Sequence, residues 1–269
     1  MPTNKQRRQA AQRHLQRQLE RRAELAKKRR RNLGIVASAI AVLVVVGAAL
    51  LLTGVFTGDD DPDVSADPGT DTAATVDGSD GTCDFTPDES GNPNLTQVEP
   101  PPAEVETTGT TTVTMSTSAG DIGLTLDRAK APCATASMVH LAEQDFFDDT
   151  PCHRLTTSPG LEVLQCGDPS GTGMGGPSYE FPTQVTGDET YPRGTIAMAN
   201  SGQGTDGSQF FLVYGDSLEN NPNYTVLGTI DGPGLEVLDQ IAEAGVEGGT
   251  TDGAPATPVT ITDMAVAAA

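Results

Sequence analysis

The chain has 269 residues, a net charge of −21 at pH 7, no tryptophan and only 4% aromatic residues, so one or two domains with a largely aliphatic core are expected. Residues 1–31 hold 12 Lys/Arg against 2 Glu, and the rest holds four basic residues (Arg128, Lys130, Arg154 and Arg193) against 35 Asp and Glu. That division excludes one uniform domain and points to regions with separate partners.

Residues 1–32 form a basic, Gln/Arg/Ala-rich arm with helical character. Residues 33–56, LGIVASAIAVLVVVGAALLLTGVF, carry no charge in 24 positions. About 20 apolar residues cross a bilayer, so this segment is read as a transmembrane helix; its length and charged flanks argue against a buried core helix. Basic residues on one side and GDDDPD on the other place the N-terminus in the cytoplasm and the remainder outside. The segment exceeds the about 7–15-residue core of a cleaved signal, and no clear small-x-small site follows, so an uncleaved anchor in the cell membrane is expected. The arm is suited to anionic lipid. Topology already explains its charge, and no nucleic-acid partner is expected.

Residues 57–110 contain 14 Asp/Glu, no Lys or Arg, and many Thr, Gly and Pro, which predicts a largely disordered linker. An island, CDFTP at 83–87, interrupts it and is a candidate for packing on the folded region. Residues 111–269 form that region. TVTMSTSAGDIGLTL reads as a hairpin around Gly120, and APCATASMVHLAEQDFF has apolar residues at helical spacing behind Pro132. Short strand-like runs follow, then the amphipathic LEVLDQIAEAG (235–245), ended by Gly245, and the strand VTITDMAV. Mostly β with two helices predicts a closed barrel capped by helices.

Several motifs are weak. GTGMGG at 171–176 matches a dinucleotide-binding glycine pattern, but Pro177 follows and no βαβ unit surrounds it, so it reads as a flexible loop. Cys152 and His153 are adjacent in a strand and face opposite ways, which rules out a poised thiol–imidazole pair. His140 and His153 are the only histidines of the folded region, too few for a zinc site; His140 reads as a packing residue. All four cysteines follow the apolar span, which favours disulfides, and four cysteines allow three pairings. Cys152–Cys166 across neighbouring strands and Cys83–Cys133 between the island and the first helix are favoured.

AEQDFFDDTPCHR, QCGDP, MAN and GSQFF occur in order between residues 142 and 211. Together they resemble the cyclophilin family of peptidyl-prolyl cis/trans isomerases, over roughly residues 111–267. The resemblance implies a mostly β fold, an eight-stranded antiparallel closed barrel capped by two helices, and no cofactor or metal. It implies that Arg154 is catalytic, with Gln165 orienting it and contacting the substrate carbonyl. Ala199 and Asn200 match the strand that holds the peptide extended, and Gln209 matches a polar substrate contact. Phe211 matches the floor of the proline pocket, with Val163 and Leu218 as walls, and Tyr224 stands where many members have a histidine. Thr205 and Gly207 match a shallow neighbouring pocket for residues before the proline. Alternation turns Phe210 toward the core instead.

Two further departures concern specificity. Glu162 replaces a family phenylalanine, which predicts weaker binding of acidic peptides, and Ser217 falls near the position of a tryptophan associated with cyclosporin binding. The expected activity is isomerisation of X–Pro bonds in secreted or surface proteins by a monomeric domain. A proline-peptide-binding or chaperone module with little turnover is the alternative.

Overall fold

The computed structural model describes residues 78–267 apart from Gln203 and Asn220. The basic arm 1–32, the apolar span 33–56 and the first part of the linker lie outside these residues. Among the described residues no helix is long and apolar enough to cross a membrane.

Eight strands of four or more residues make the main sheet. They are β1 (Thr110–Thr117), β2 (Gly120–Asp127), β3 (Arg154–Ser158), β4 (Leu161–Cys166), β5 (Thr195–Met198), β6 (Phe210–Gly215), β7 (Val226–Ile230) and β8 (Thr260–Val266). Their spatial order is β3-β4-β6-β5-β7-β2-β1-β8, and all neighbours are antiparallel. Two-residue strands extend the edges, Asp252–Gly253 beside β3 and Thr150–Pro151 beside β8. Only Cys152 and His153 separate Pro151 from Arg154, so the far edge of the sheet is tied back to β3 and the sheet must curl. The result is a mostly β, barrel-like sheet with two helices.

Period-two alternation builds the core. β1 reads TTTVTMST with Thr111, Val113, Met115 and Thr117 buried and their neighbours turned outward. Ile122, Leu124, Leu126, Leu155, Leu164 and Ile196 fill the interior. β1 and β2 pair as a hairpin with Thr117 opposite Gly120, and Gly120 takes a φ of 139°, a conformation suited to glycine.

Helix α1 (Pro132–Glu143) packs against β8, and α2 (Gly232–Ala244) against β2. Proline opens α1, and the side chain of Gln184 accepts the Ala134 N–H at 2.9 Å. The helical pattern predicted to run to Phe147 stops earlier because Asp145 is left-handed, at φ 54°. Phe146 and Phe147 then turn into the core, Phe147 meeting Phe210 edge-on at 5.9 Å. In α2 the Asp231 carboxylate caps the Gly234 N–H at 2.7 Å and also accepts the Gly123 N–H at 3.3 Å, joining helix to sheet.

The second half of the expected linker departs from the sequence reading. Residues 78–109 are laid along the domain as a strap. Cys83 is bonded to Cys133 at the start of α1, as favoured above, and Phe85 packs edge-on against Tyr179 and Phe181 at 5.7 and 5.5 Å. Thr86–Pro87 pairs with the strand Tyr179–Pro182, and Leu95–Thr96 runs parallel to Gly176–Pro177. Composition alone suggested disorder because it registers few large apolar residues. It does not register a covalent staple, one well-placed aromatic ring and a borrowed strand edge.

The Cys83–Cys133 bond closes a 50-residue separation, for which loop entropy predicts about 4 kcal/mol, and delivered values are commonly about 2–4 kcal/mol. Replacing both cysteines by serine is expected to lower stability in urea unfolding by that amount. Limited proteolysis of this variant should cut first within residues 78–109.

Candidate functional site

Strand register creates the site. Arg154 of β3 lies opposite Gln165 of β4, and Gln165 lies opposite Phe211 of β6, so three side chains form a row across three strands on the sheet's outer face. Residues one step along these strands point inward instead, and Leu155, Leu164 and Phe210 are fully buried in the core. Phe210 therefore faces inward, as alternation predicted.

The Arg154 guanidinium is held from two sides. Nε and Nη2 donate to Oδ1 and Oδ2 of Asp252, both at 2.8 Å, and Nη1 donates to Gln165 Oε1 at 3.3 Å. Three of five N–H donors are thereby engaged and two remain free of these bonds. The hydrogen bonds that Arg154 donates to Asp252 hold the guanidinium's pKa above its ordinary value, and they hold the Asp252 carboxyl below its own. Asp252 was not singled out in the sequence, where it is one acid among 35 and stands 98 residues from Arg154. The chain of bonds continues, with Gln165 Nε2 donating to Gln209 Oε1 and Gln209 Nε2 donating to the Gly175 carbonyl, both at 2.9 Å.

Beside the row lies a second apolar cluster, separate from the barrel core. It consists of Val163, Tyr191, Ala197, Phe211, Val213 and Val226, with Leu161, Ala199, Leu218 and Tyr224 packed against it. The rings of Phe211 and Tyr224 meet edge-on at 5.4 Å, and Tyr191 lies 6.0 Å from each. The Tyr191 hydroxyl donates to the Tyr224 carbonyl and accepts the Tyr224 N–H, both at 2.9 Å, and burial pushes its pKa up to about 12. Val163, Phe211, Leu218 and Tyr224, the residues read as the proline pocket, are thus brought together, and Ala199 packs beside them. Tyr191 and Leu161 were missed, although the β6 alternation that selected Phe211 also selects Val213.

Next to this cluster runs a groove of about 910 Å³. Gln165, Gln209, Ala199, Asn200, Thr205 and Gly207 all line it, so the remaining candidates share one surface. The Ala199 N–H bonds the Gln209 carbonyl at 2.8 Å, leaving the side chain of Asn200 to be fixed separately. Asn200 Nδ2 donates to Asp206 Oδ1 at 3.3 Å and to the Asn223 carbonyl at 3.1 Å, and Thr225 donates its hydroxyl to the other Asp206 oxygen.

Other readings are corrected or sharpened. Glu162 does not rim the pocket: alternation along β4 turns it away from Val163 and Gln165, and its carboxylate lies over Gly215, its partner beyond a bulge in β6. The expected penalty on acidic peptides therefore has no structural basis at Glu162. Ser217 instead ties the β3–β4 turn to Tyr191 by bridges from Gly160 and Tyr191, and its hydroxyl accepts the Glu162 N–H at 2.8 Å.

The glycine loop at 171–176 is tied down by Asp168, whose carboxylate accepts the Gly173 and Ser170 N–H groups at 2.6 and 2.7 Å. Burial pushes the Asp168 pKa up, but hydrogen bonds from Ser170, Gly175 and Gly173 outweigh it and hold the pKa below the ordinary value. His153 packs against this loop with both ring nitrogens unbonded, and burial lowers its pKa so that the neutral ring is favoured. Cys152 is bonded to Cys166, the favoured pairing, and is no nucleophile. His140 bonds the Glu99 carbonyl at 2.9 Å and so helps hold the strap.

Comparison with known proteins agrees with this geometry. Residues 112–266 match the cyclophilin type peptidyl-prolyl cis-trans isomerase/CLD family. A Mycobacterium tuberculosis protein named probable peptidyl-prolyl cis-trans isomerase B is 50% identical over 184 residues, covering 64% of this chain and 58% of its own. The Mycobacterium leprae protein of that name is 48% identical over 198 residues, covering 68% and 65%. The chain thus spans less than two thirds of the length of these relatives. A crystal structure of a Cryptosporidium parvum cyclophilin type peptidyl-prolyl cis-trans isomerase superposes with a TM-score of 0.53 at 26% identity, covering 60% of this chain and 99% of that one. A second crystal structure of that protein, in the presence of the dipeptide Ala-Pro, superposes with a TM-score of 0.52.

The Asp206 carboxyl carries a pH signature. Burial raises its pKa from 3.8 to about 6, against the lowering effect of the Thr225 and Asn200 bonds. The folded state retains a proton that the unfolded chain releases, so this contribution to stability is full below about pH 4 and is lost as pH rises through about 6. Relative to an Asp206→Asn variant, which can satisfy the same neighbours without charge, the wild type is expected to lose about 3 kcal/mol across that window. Urea unfolding of both proteins from pH 4 to pH 7 checks the sign and size.

Proposed function

We propose that this chain, which belongs to the cyclophilin-type peptidyl-prolyl cis-trans isomerase family, accelerates rotation about X–Pro bonds in extended peptide segments. The observation that carries the reading is the row Arg154–Gln165–Phe211, a fixed cation next to an apolar cluster on the sheet's outer face.

The barrier to rotation, about 18–20 kcal/mol, is the amide resonance lost when the C–N bond twists. No bond is made or cut, so neither nucleophile nor metal is required. In the twisted state the proline nitrogen becomes pyramidal and gains a lone pair, to which a free Arg154 N–H donates. The planar ground state accepts that bond poorly, so the interaction favours the transition state. Asp252 and Gln165 fix the guanidinium's orientation before substrate arrives, and Arg supplies a permanent charge on a planar fork. Val163, Leu218 and Tyr224 wall the proline ring over Phe211. Gln165 contacts the substrate carbonyl, Ala199 and Asn200 hold the peptide extended, and Gln209, Thr205 and Gly207 receive the residues before the proline. The crystal structure of the Cryptosporidium parvum protein in the presence of the dipeptide Ala-Pro supports a proline-peptide site. The curled sheet acts as a closed eight-stranded barrel, its seam made by the Cys152–His153 link.

The domain works outside the cytoplasm as a monomer, held to the cell membrane by residues 33–56, on secreted or surface proteins. Two disulfides and a basic flank on the apolar span support that placement. Uncatalysed isomerisation takes tens to hundreds of seconds, slow enough for a folding aid to matter there.

NMR exchange spectroscopy on an Ala-Pro peptide with the full-length chain tests the reading. Arg154→Ala is expected to slow catalysed exchange by roughly 10²–10³-fold, and Asp252→Asn by roughly tenfold through lost positioning. A wild type that binds the peptide without accelerating exchange would instead establish the proline-peptide-binding alternative.

A further inference from the structure

The strap does more than cover the domain. Residues 87–95 form one wall of the groove, opposite Thr205 and Gly207, and lie outside the span matched to the family. The wall is fastened at several points. The Asp88 N–H bonds the Ser178 carbonyl at 3.0 Å, Asn92 Nδ2 bonds the Met174 carbonyl at 2.6 Å, and Leu95 and Thr96 pair with Gly176 and Pro177. Upstream, Cys83–Cys133 and the Phe85 ring contacts hold its entry.

Its charge is one-sided. Asp88 and Glu89 of the strap and Glu180 of the strand paired with it line the groove, and no Lys or Arg among the described residues lines it. The described residues contain four basic side chains, of which Arg128, Arg154 and Arg193 pair with Glu106, Asp252 and Asp239. Glu180 is oriented by the Thr205 hydroxyl, which donates to Oε2 at 2.9 Å. A peptide lying in the groove therefore meets carboxylates from the strap and from the strand paired with it, and no competing cation among the described residues of the lining.

We propose that the strap is a specificity element, and that Asp88 and Glu89, with Glu180 on the strand paired to the strap, select peptides carrying Lys or Arg two or three residues before the proline. The proposal rests on the isomerase reading for the direction in which the peptide lies. It adds a second wall, built by a segment outside the barrel, and a charge preference for the substrate.

The test uses peptides Xaa-Xaa-Ala-Pro-Phe, with Xaa as Lys, Ala or Glu, titrated into the full-length chain and followed by NMR. Affinity should fall in the order Lys, Ala, Glu, with roughly a tenfold span at low salt, the combined effect of a few exposed charge pairs. The span should shrink at 0.5 M salt, a concentration chosen so that about 4–5 Å of screening separates exposed charges. In the double variant Asp88→Asn, Glu89→Gln the ratio of Lys to Glu affinities should move toward one. Equal affinities in the wild type would overturn the charge preference, and a ratio unchanged by the double variant would overturn the strap's role. Exchange measured on the Ala peptide in the same samples reports separately on the isomerase reading.

Discussion

Everything at this site hangs on the register of three strands. Arg154, Gln165 and Phe211 share a row only because β3, β4 and β6 pair in one alignment. Side chains alternate between faces, so a slip of one residue would send Gln165 into the core and Leu164 to the surface. The core enforces the alignment, since Leu155, Leu164 and Phe210 are the inward-facing neighbours of the three site residues and are fully buried. Packing inside the barrel and chemistry outside it are two faces of the same constraint.

Charge is organised with similar economy. In a region so acidic, three of the four basic side chains are each captured by a carboxylate distant in sequence. Arg193 joins β5 to α2 through Asp239 and also bonds the Tyr214 carbonyl, while Arg128 joins the strap to the end of β2 through Glu106. Such exposed pairs contribute little stability individually. Their effect is to fix positions, most plainly at Arg154, where a long and flexible side chain is held in one orientation. Buried carboxyls do comparable work: Asp168 holds the backbone of the glycine loop, and Asp206 holds the side chain of Asn200.

The legible parts of the fold were those specified locally. The hairpin around Gly120, the stop of α2 at Gly245 and the inward turn of Phe210 all follow from alternation, helical spacing or glycine conformation. Arg154 stood out because cations are rare in its half of the chain. Asp252 did not, because one carboxylate among 35 has no local mark, and its role exists only once Asp252–Gly253 pairs with β3. Tyr191 was hidden for the same reason, lying in an irregular segment whose partners come from β6 and the loop before β7. Glu162 was misplaced because counting back from Gln165 ignored strand alternation. The strap was misread because composition averages over a segment, whereas a disulfide and a strand edge act at single points.

The Cys152–Cys166 bond has a consequence for how the chain matures. Cys152 stands two residues before Arg154, and Cys166 directly follows Gln165. A strand slipped by one residue would turn Cys166 to the opposite face and carry its sulfur away from Cys152. The bond therefore closes only on the alignment that sets Arg154 against Gln165, and it then makes that alignment permanent. The covalent link and the row of site residues thus require one and the same pairing of the strands.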